Sequence, residues 1–480
     1  MAKQNLTPKS ENMSEWYTQA IQQAELADYS PVKGCMVMRP RGYAIWENIH
    51  AVFDPMLKKL GVENAYFPLF VPMSLLDREA KHVEGFAPEL AVVTHGGGSE
   101  LEDKLVVRPT SETIMYEMYS KWVHSHRDLP LCLNQWNNVV RWEKRTYFFL
   151  RTTEFLWQEA HTAHATHEEA LNMVLSGLAA YRHLVEDYLA IPVVMGRKSE
   201  SERFPGADMT TTIEAIMPNG KALQSGTSHD LGQNFSQPSA FNISFQNESG
   251  QTDYAWQTSY GLSTRIIGAL IMTHGDDDGL VFPPKIAPTQ IKIVAANNDE
   301  EVLSACQQLF SQLKSSFRVE FKNDQSKQLG WKLNEAEIQG APVILVVGKR
   351  ELANGEVGLM VRHSKEKLSL QLGKVVEQMA EILDRVQLEM FTKAKATQQS
   401  LVTEVNSYDE FRKVMEEKRG FIKAHWCEQA ECEAQIKEET KASTRCLPFI
   451  DNQGQVEESD GKCVKCGAPS KHRWLFALAY

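Results

Sequence analysis

The chain contains no run of about 18 apolar residues, which excludes a membrane-spanning helix of the usual kind. Its opening residues, MAKQNLTPKSENMSEW, lack the apolar stretch of a secretory signal, so a cytoplasmic location with no membrane partner is expected. An excess of basic charge is also missing. Asp and Glu number 62 against 51 Lys and Arg, a net charge of −11. That excludes a nonspecific nucleic-acid coat, while a tRNA binder working through local basic patches stays open. Low-complexity tracts and internal repeats of 20–50 residues are absent, which rules out a solenoid. Cysteine is scarce through the first 426 residues (Cys35, Cys132 and Cys306), so no disulfide framework spans the chain.

What is present is ordinary globular material in quantity. At roughly 150 residues per domain, 480 residues suggest about three domains. With 42% apolar and 24% charged residues, each can bury a core. Gly42–Leu60 reads as a helix, with Ile45, Ile49, Val52, Phe53, Met56, Leu57 and Leu60 on one stripe. Pro55 inside it is expected to kink or interrupt it, at a cost of up to ~3 kcal/mol. AYFPLFVP reads as a short strand bounded by prolines, and residues 131–161 as long alternating strands. Thr166 with Glu169 forms a capping box that opens a further helix. Residues 208–246 read as strands broken by a polar loop, QSGTSHDLGQN.

Pro283, Pro284 and Pro288 mark a boundary, which delimits a first domain of residues 1–284. From Thr289 the order is strand, helix, strand, helix, two strands and a long helix over 365–395. That order predicts a mixed sheet with helices packed on it, over residues 285–400. Residues 401–480 form a third unit holding five of the eight cysteines.

Chemistry concentrates in a few places. Along RWEKRTYFFLRTTEFLWQEAH, side chains two apart share a strand face. Arg141 and Glu143 therefore point together, as do Arg151, Thr153, Phe155, Trp157, Glu159 and His161. Such a face is either a solvated surface with cross-strand ion pairs or a platform for an anionic ligand carrying a flat base. Arginine forks suit phosphate, and aromatics suit stacking. Thr110 and Glu112 in RPTSET stand on a turn before a helix, where a plain helix cap is the simpler alternative. Gly261-Leu-Ser263-Thr-Arg265 leads straight into a helix whose N-terminus would attract an anion; an N-cap with a surface arginine is the alternative. Cys427-x4-Cys432 and Cys463-x2-Cys466 have spacings suited to tetrahedral zinc. Cys446 is left over and reads as a small buried thiol.

In order and wording these segments resemble the three motifs of class II aminoacyl-tRNA synthetases, and among them the prolyl-tRNA synthetase family. The stretches that carry the resemblance include YFPLFVP, FAPEL, RPTSET, RWE…FLRTTEFLWQEAH, TTTIEA, QSGTSHDLGQNF and GLSTR…HGDDDGLVFPP. The resemblance runs from about residue 13 to Tyr480. Only about 80 residues separate Arg141 from Gln224, too few for the editing domain that typical bacterial prolyl enzymes insert there. That, with the extra C-terminal domain, resembles the archaeal/eukaryotic-type branch.

The resemblance implies a fold class: an α+β catalytic domain on an antiparallel sheet, an α/β anticodon-binding domain and a small zinc-binding α+β C-terminal domain. It implies ATP-dependent ligation of L-proline to tRNA(Pro) through prolyl-adenylate, with magnesium, one structural zinc and a homodimer built on YFPLFVP and the preceding helix. Arg141 would clamp the α-phosphate and the proline carboxylate. Glu143, Arg151, Thr152, Gln224, Thr227, Ser263 and Arg265 would bind ATP, Gln224 near magnesium, with Arg141 and Arg265 catalytic. Thr110, Glu112 and His229 would hold the proline, and Phe86, Glu89, Trp157, Glu159 and His161 would be walls. Cys427, Cys432, Cys463 and Cys466 would hold the zinc. Glu337 is the candidate for anticodon reading. Where relatives carry an arginine and a glutamate in the following strand, this chain has Ile344 and Val346. A synthetase for another small amino acid and a catalytically inactive tRNA-binding or regulatory paralogue are the competing readings.

Overall fold

The computed structural model describes residues 6–77 and 90–480. The alternating segments assemble into one sheet. From one edge it runs Glu63–Asn64, Leu131–Val140, Glu154–His164, Trp256–Ser263, Lys221–Gly232, Met209–Ile216 and Val194–Arg197. Every neighbour in this row is antiparallel except the short first strand. Helix His167–His183 lies against the sheet and buries Val174, Leu178 and Tyr181. Its capping box between Thr166 and Glu169 forms as expected. Tyr181 stacks on Phe53 of helix Pro40–Lys59, whose Ile45, Ile49, Phe53 and Leu57 complete the same core.

Helix Pro40–Lys59 is not interrupted at Pro55. The carbonyl that loses its partner belongs to Ala51, which, like Pro55, lies on the exposed side, where water can replace the missing N–H. Of AYFPLFVP only Phe70–Pro72 is strand.

The second unit is a five-stranded mixed sheet in the order Val319–Phe321, Ile291–Ala295, Val343–Val347, Glu356–Val361, Lys367–Gln371. The first three strands are parallel and the last two antiparallel. The segment expected to begin the long helix at 365 instead forms the edge strand, and the helix spans Val375–Ser400. KLSLQ alternates in burial, a strand period that overrides helix propensity once a sheet edge is available. Ile344 packs with Val294 and Ala336, and Val346 lies against them, so the two departures from the family pattern form an apolar cluster under helix Leu329–Gln339. The buried Arg362 holds this unit to the first by donating to both oxygens of Asp276, at 2.7 and 2.6 Å.

The cysteine-bearing tail does not stand apart. Its strands Val402–Glu404, Phe421–His425, Arg473–Ala479 and Ser443–Pro448 extend the large sheet to eleven strands, Leu447 and Pro448 pairing with Arg197 and Gly196. At the seam Glu214 accepts from Lys198 at 2.7 Å and from Arg445 at 2.8 Å, with all three side chains buried. Burial opposes the charge on Glu214, but the two cations outweigh it and hold the carboxyl below its ordinary range.

Candidate active site

The strand registers place the chemistry in rows across the sheet. Thr210, His229, Ser259 and His161 pair in succession, as do Thr212, Thr227, Gly261 and Glu159, and Ser263 pairs with Trp157. Residues two apart share a face, so these rows make one polar wall opposite the helix-covered face. A cavity of ≈ 290 Å³ lies on it, and Thr110, Glu112, Arg141, Trp157, Glu159, His161, Gln224, Thr227, His229, Ser263 and Arg265 line it. QSGTSHDLG is therefore not the loop expected from its composition. It belongs to strand Lys221–Gly232, with Thr227–Asp230 paired on both sides. Small hydroxyl residues suit a loop, but they equally suit a central strand whose face holds a ligand.

Glu159 is the most heavily supported group. It accepts from the Ser111 amide at 3.2 Å, from the Ser111 hydroxyl, and from Asn137 at 2.6 Å, with His161 at 3.1 Å. Ser111 precedes helix Glu112–Trp122 without capping it, because its hydroxyl is spent on Glu159. Thr110 donates to Glu112, which is buried at the start of the same helix. Burial also acts on His229. With the repulsion of His161 it pushes the imidazole down to about 3, so His229 is neutral at pH 7 while Thr210 hydrogen-bonds its Nδ1 at 3.0 Å. Phe204 covers it, ring to ring at 4.7 Å.

At the other end Arg141 lies over both Phe155 and Trp157, 5.6 and 5.4 Å from the ring centres. Its Nε donates to the Pro109 carbonyl. Arg265 opens helix Arg265–His274, and its Nε donates to the Leu150 carbonyl at 3.1 Å. Burial, then the nearby Arg141 and Arg151, lower its pKa to about 10, and no salt bridge of Arg265 forms among the described residues. A guanidinium in such a place favours an arriving anion. Among the described residues, Trp157 Nε1 and Ser259 Oγ, both buried in the wall, have no hydrogen-bond partner.

Three expected ATP residues stand elsewhere. Glu143 and Arg151 pair at 2.6 Å outside the lining, close enough for their charges to act on Arg265. Thr152 is buried, donates to the Glu154 carbonyl and faces a neighbouring cavity beside Cys35. Phe86 and Glu89 lie outside the described residues. Sequence reasoning missed Asn137 and Ser111, whose role depends on where Glu159 ends up. It also missed the wall segment Glu202–Pro205, for which no local pattern speaks.

In the tail, the sulfurs of Cys427, Cys432, Cys463 and Cys466 all lie within 4.8 Å of one another, Cys466 and Cys427 at 3.7 Å. That is about the edge of a tetrahedron with 2.3 Å metal–sulfur bonds, so the residues fit zinc. Gly467, with φ +76°, closes the Cys463–Cys466 turn in a conformation that suits glycine. Cys446 is buried at the seam against Gly196, away from the quartet.

An antiparallel sheet with Arg141 and Arg265 on its polar face, flanked by an α/β unit, has the architecture of a class II aminoacyl-tRNA synthetase. Residues 93–274 match the tRNA synthetase class II core domain (G, H, P, S and T), and 290–382 match the anticodon binding domain. Residues 408–480 match the C-terminal domain of prolyl-tRNA synthetase. The chain is 50% identical to the proline–tRNA ligase of Chlorobium chlorochromatii, with 99% of each covered. It is also 50% identical to that of Chloroherpeton thalassium, covering 99% of this chain and 100% of the other. The crystal structure of prolyl-tRNA synthetase from Cryptosporidium parvum, complexed with halofuginone and AMPPNP, superposes with a TM-score of 0.94 at 42% identity, covering 99% of both chains. The chain belongs to the prolyl-tRNA synthetase family, and its activity is the ATP-dependent ligation of proline to tRNA(Pro).

Proposed function

We propose that the two ends of the cavity divide the substrates of this reaction. Proline sits against Thr110, Glu112, Trp157, Glu159, His161 and His229, with Glu112 countering its cationic ring nitrogen. ATP lies along Arg141, Gln224, Thr227, Ser263 and Arg265, with Glu143, Arg151 and Thr152 beyond them toward the adenine and triphosphate. The observation that carries this reading is the pair Arg141 and Arg265 facing one cavity beside an aromatic platform. The proline carboxylate attacks the α-phosphorus in line and pyrophosphate leaves. The terminal adenosine hydroxyl of the tRNA then attacks the activated carbonyl and AMP leaves. Arg141 holds both reacting groups, which converts an encounter into an aligned displacement, and Arg265 stabilises charge as it builds on the phosphate. No protein nucleophile is required. Glu112→Gln is expected to raise the KM for proline at least tenfold with the KM for ATP little changed. An unchanged proline KM would place the amino acid elsewhere.

The Gln224 carboxamide makes no side-chain hydrogen bond among the described residues, which leaves its oxygen free for magnesium. The ion would offset phosphate charge when bound. We assign one structural zinc to the four thiols, a cytoplasmic location from the eight free cysteines, and anticodon reading to Glu337 on helix Leu329–Gln339. The three units are assigned as 1–284, 285–400 and 401–480. The archaeal/eukaryotic-type branch, without an editing insertion, is supported by the span between Arg141 and Gln224, which strands and helices of the core occupy. A homodimer is supported by large exposed aromatics on and near the first motif: Tyr66 at 75%, Tyr43, Phe70 and Trp122. A monomeric mass at micromolar concentration with full activity would contradict it.

A further inference from the structure

The wall of the cavity that faces His229 is not anchored in the catalytic domain alone. It is the segment just after strand Val194–Arg197, and the C-terminal domain grips that segment at three successive points. Arg197 and Gly196 pair with Leu447 and Pro448 in the sheet. Ser199, itself buried, donates to Glu433 at 3.0 Å and lies 3.0 Å from the Thr444 hydroxyl, which also donates to Glu433. Lys437, one turn further along the same helix, pairs with Glu202 at 3.2 Å. Helix Ala430–Thr440 thus reaches two residues of the wall segment from one face, by positions i and i+4.

The gripped residues lead directly into the cavity lining. Glu202, Arg203, Phe204 and Pro205 all face the cavity. The Phe204 amide donates to Thr210 Oγ1 at 2.9 Å, the same hydroxyl that bonds His229, and the Phe204 ring covers the imidazole. Ser199 and Glu433 are 2% and 4% exposed, so a buried carboxylate that loses its donors there cannot be compensated cheaply by water.

We propose that Glu433, Thr444 and Lys437 of the C-terminal domain are positioning residues for the active-site wall. By holding Ser199 and Glu202 they seat Phe204 on His229 and so set the affinity for the amino acid. This rests on the assignment of the His229 side of the cavity to proline. The C-terminal domain then acts on adenylate formation itself, before any tRNA is present. Its grip is made in the ground state and in the transition state alike, so it shows in KM and not in kcat.

The test is proline-dependent ATP–pyrophosphate exchange by the full chain without tRNA, for Ser199→Ala, Glu433→Ala, Glu433→Gln, Lys437→Ala and Phe204→Ala. Ser199→Ala and Glu433→Ala are expected to raise the KM for proline about five- to tenfold, with kcat and the KM for ATP within about twofold. Glu433→Gln keeps the oxygen that accepts from Ser199 and Thr444, and it is expected to restore most of the loss. Lys437→Ala changes an exposed side chain, and it should raise the KM about twofold, as befits a solvent-screened pair. Phe204→Ala tests the underlying assignment. If it raises the proline KM while the Ser199, Glu433 and Lys437 variants leave it unchanged, the positioning role is overturned and the assignment stands. If Phe204→Ala itself leaves the proline KM unchanged, the assignment falls and the positioning role with it. A uniform loss of kcat across all variants, unrescued by Glu433→Gln, would also overturn the proposal, since it would reduce the contact to general structural support.

Discussion

His161 and Glu159 stand 3.1 Å apart on one strand, both almost wholly buried, and they shift each other in opposite senses. Burial opposes charge on His161, but Glu112 and Glu159 outweigh it and raise its pKa. Burial opposes charge on Glu159 too, and the hydrogen bonds from His161, Ser111 and Asn137 outweigh it, lowering the carboxyl below its ordinary range.

These shifts, with those of other buried histidines, give stability a pH profile. Burial lowers His164 and His274 to about 4 and His229 to about 3. Below about 6.5 the unfolded chain takes up protons at these positions that the folded chain refuses, so stability falls as pH drops toward 4. The slope is about 1.4 kcal/mol per pH unit for each histidine. His161 acts on the other side. Its contribution is complete below about 6.5 and is lost as pH rises through its raised folded value. The contribution of Glu159 is present above its ordinary value near 4.5 and is lost as pH falls through its lowered one. Urea midpoints across pH 4.5–8 are expected to peak near neutrality and to fall more steeply on the acid side. In His274→Gln the acid slope should shrink by about 1.4 kcal/mol per pH unit; an unchanged slope would mean that His274 is protonated in the fold.

Arg141→Ala is expected to slow adenylate formation well over tenfold, which corresponds to ~1.4 kcal/mol of barrier or more. The variant loses the guanidinium that lies over Phe155 and Trp157 in the cavity, while Arg265 is held toward the Leu150 carbonyl. Pyrophosphate exchange at a near-normal rate would show that the α-phosphate is bound elsewhere.

Metal analysis is expected to return one zinc per chain. Cys463→Ser should lower that count and destabilise the tail, whereas Cys446→Ser should leave it unchanged, since Cys446 is packed at the seam against Gly196. Loss of metal in the Cys446 variant alone would mean that the quartet is misassigned.

The pocket can exclude larger amino acids by clash but rejects smaller ones only through lost burial, about 1–3 kcal/mol for each methylene. Alanine and cysteine should therefore be activated at a reduced but measurable rate. With the span from Arg141 to Gln224 taken up by the core, alanyl-tRNA(Pro) incubated with the protein should decay no faster than in buffer. Fast deacylation would reveal a hydrolytic site on this chain.

The parts of the site legible in the sequence are those fixed by local periodicity. Phe155, Trp157, Glu159 and His161 share a face because they alternate, and the four thiols announce themselves by spacing. Thr227 and Ser228 read as a loop because small polar residues look alike in turns and on a ligand-facing central strand; only pairing on both sides separates the two. Pro55 does not interrupt its helix, because the cost of a missing N–H depends on whether its carbonyl faces water. Lys198, Glu214 and Arg445 are up to 247 residues apart in sequence, and no local signal could have joined them.

The most direct test of the account is amino-acid-dependent ATP–pyrophosphate exchange by the intact protein, run across the twenty amino acids with and without tRNA. Proline is expected to support by far the fastest exchange, without tRNA, with alanine and cysteine well behind. Fastest exchange with threonine, serine or glycine, or none with any amino acid, would contradict it.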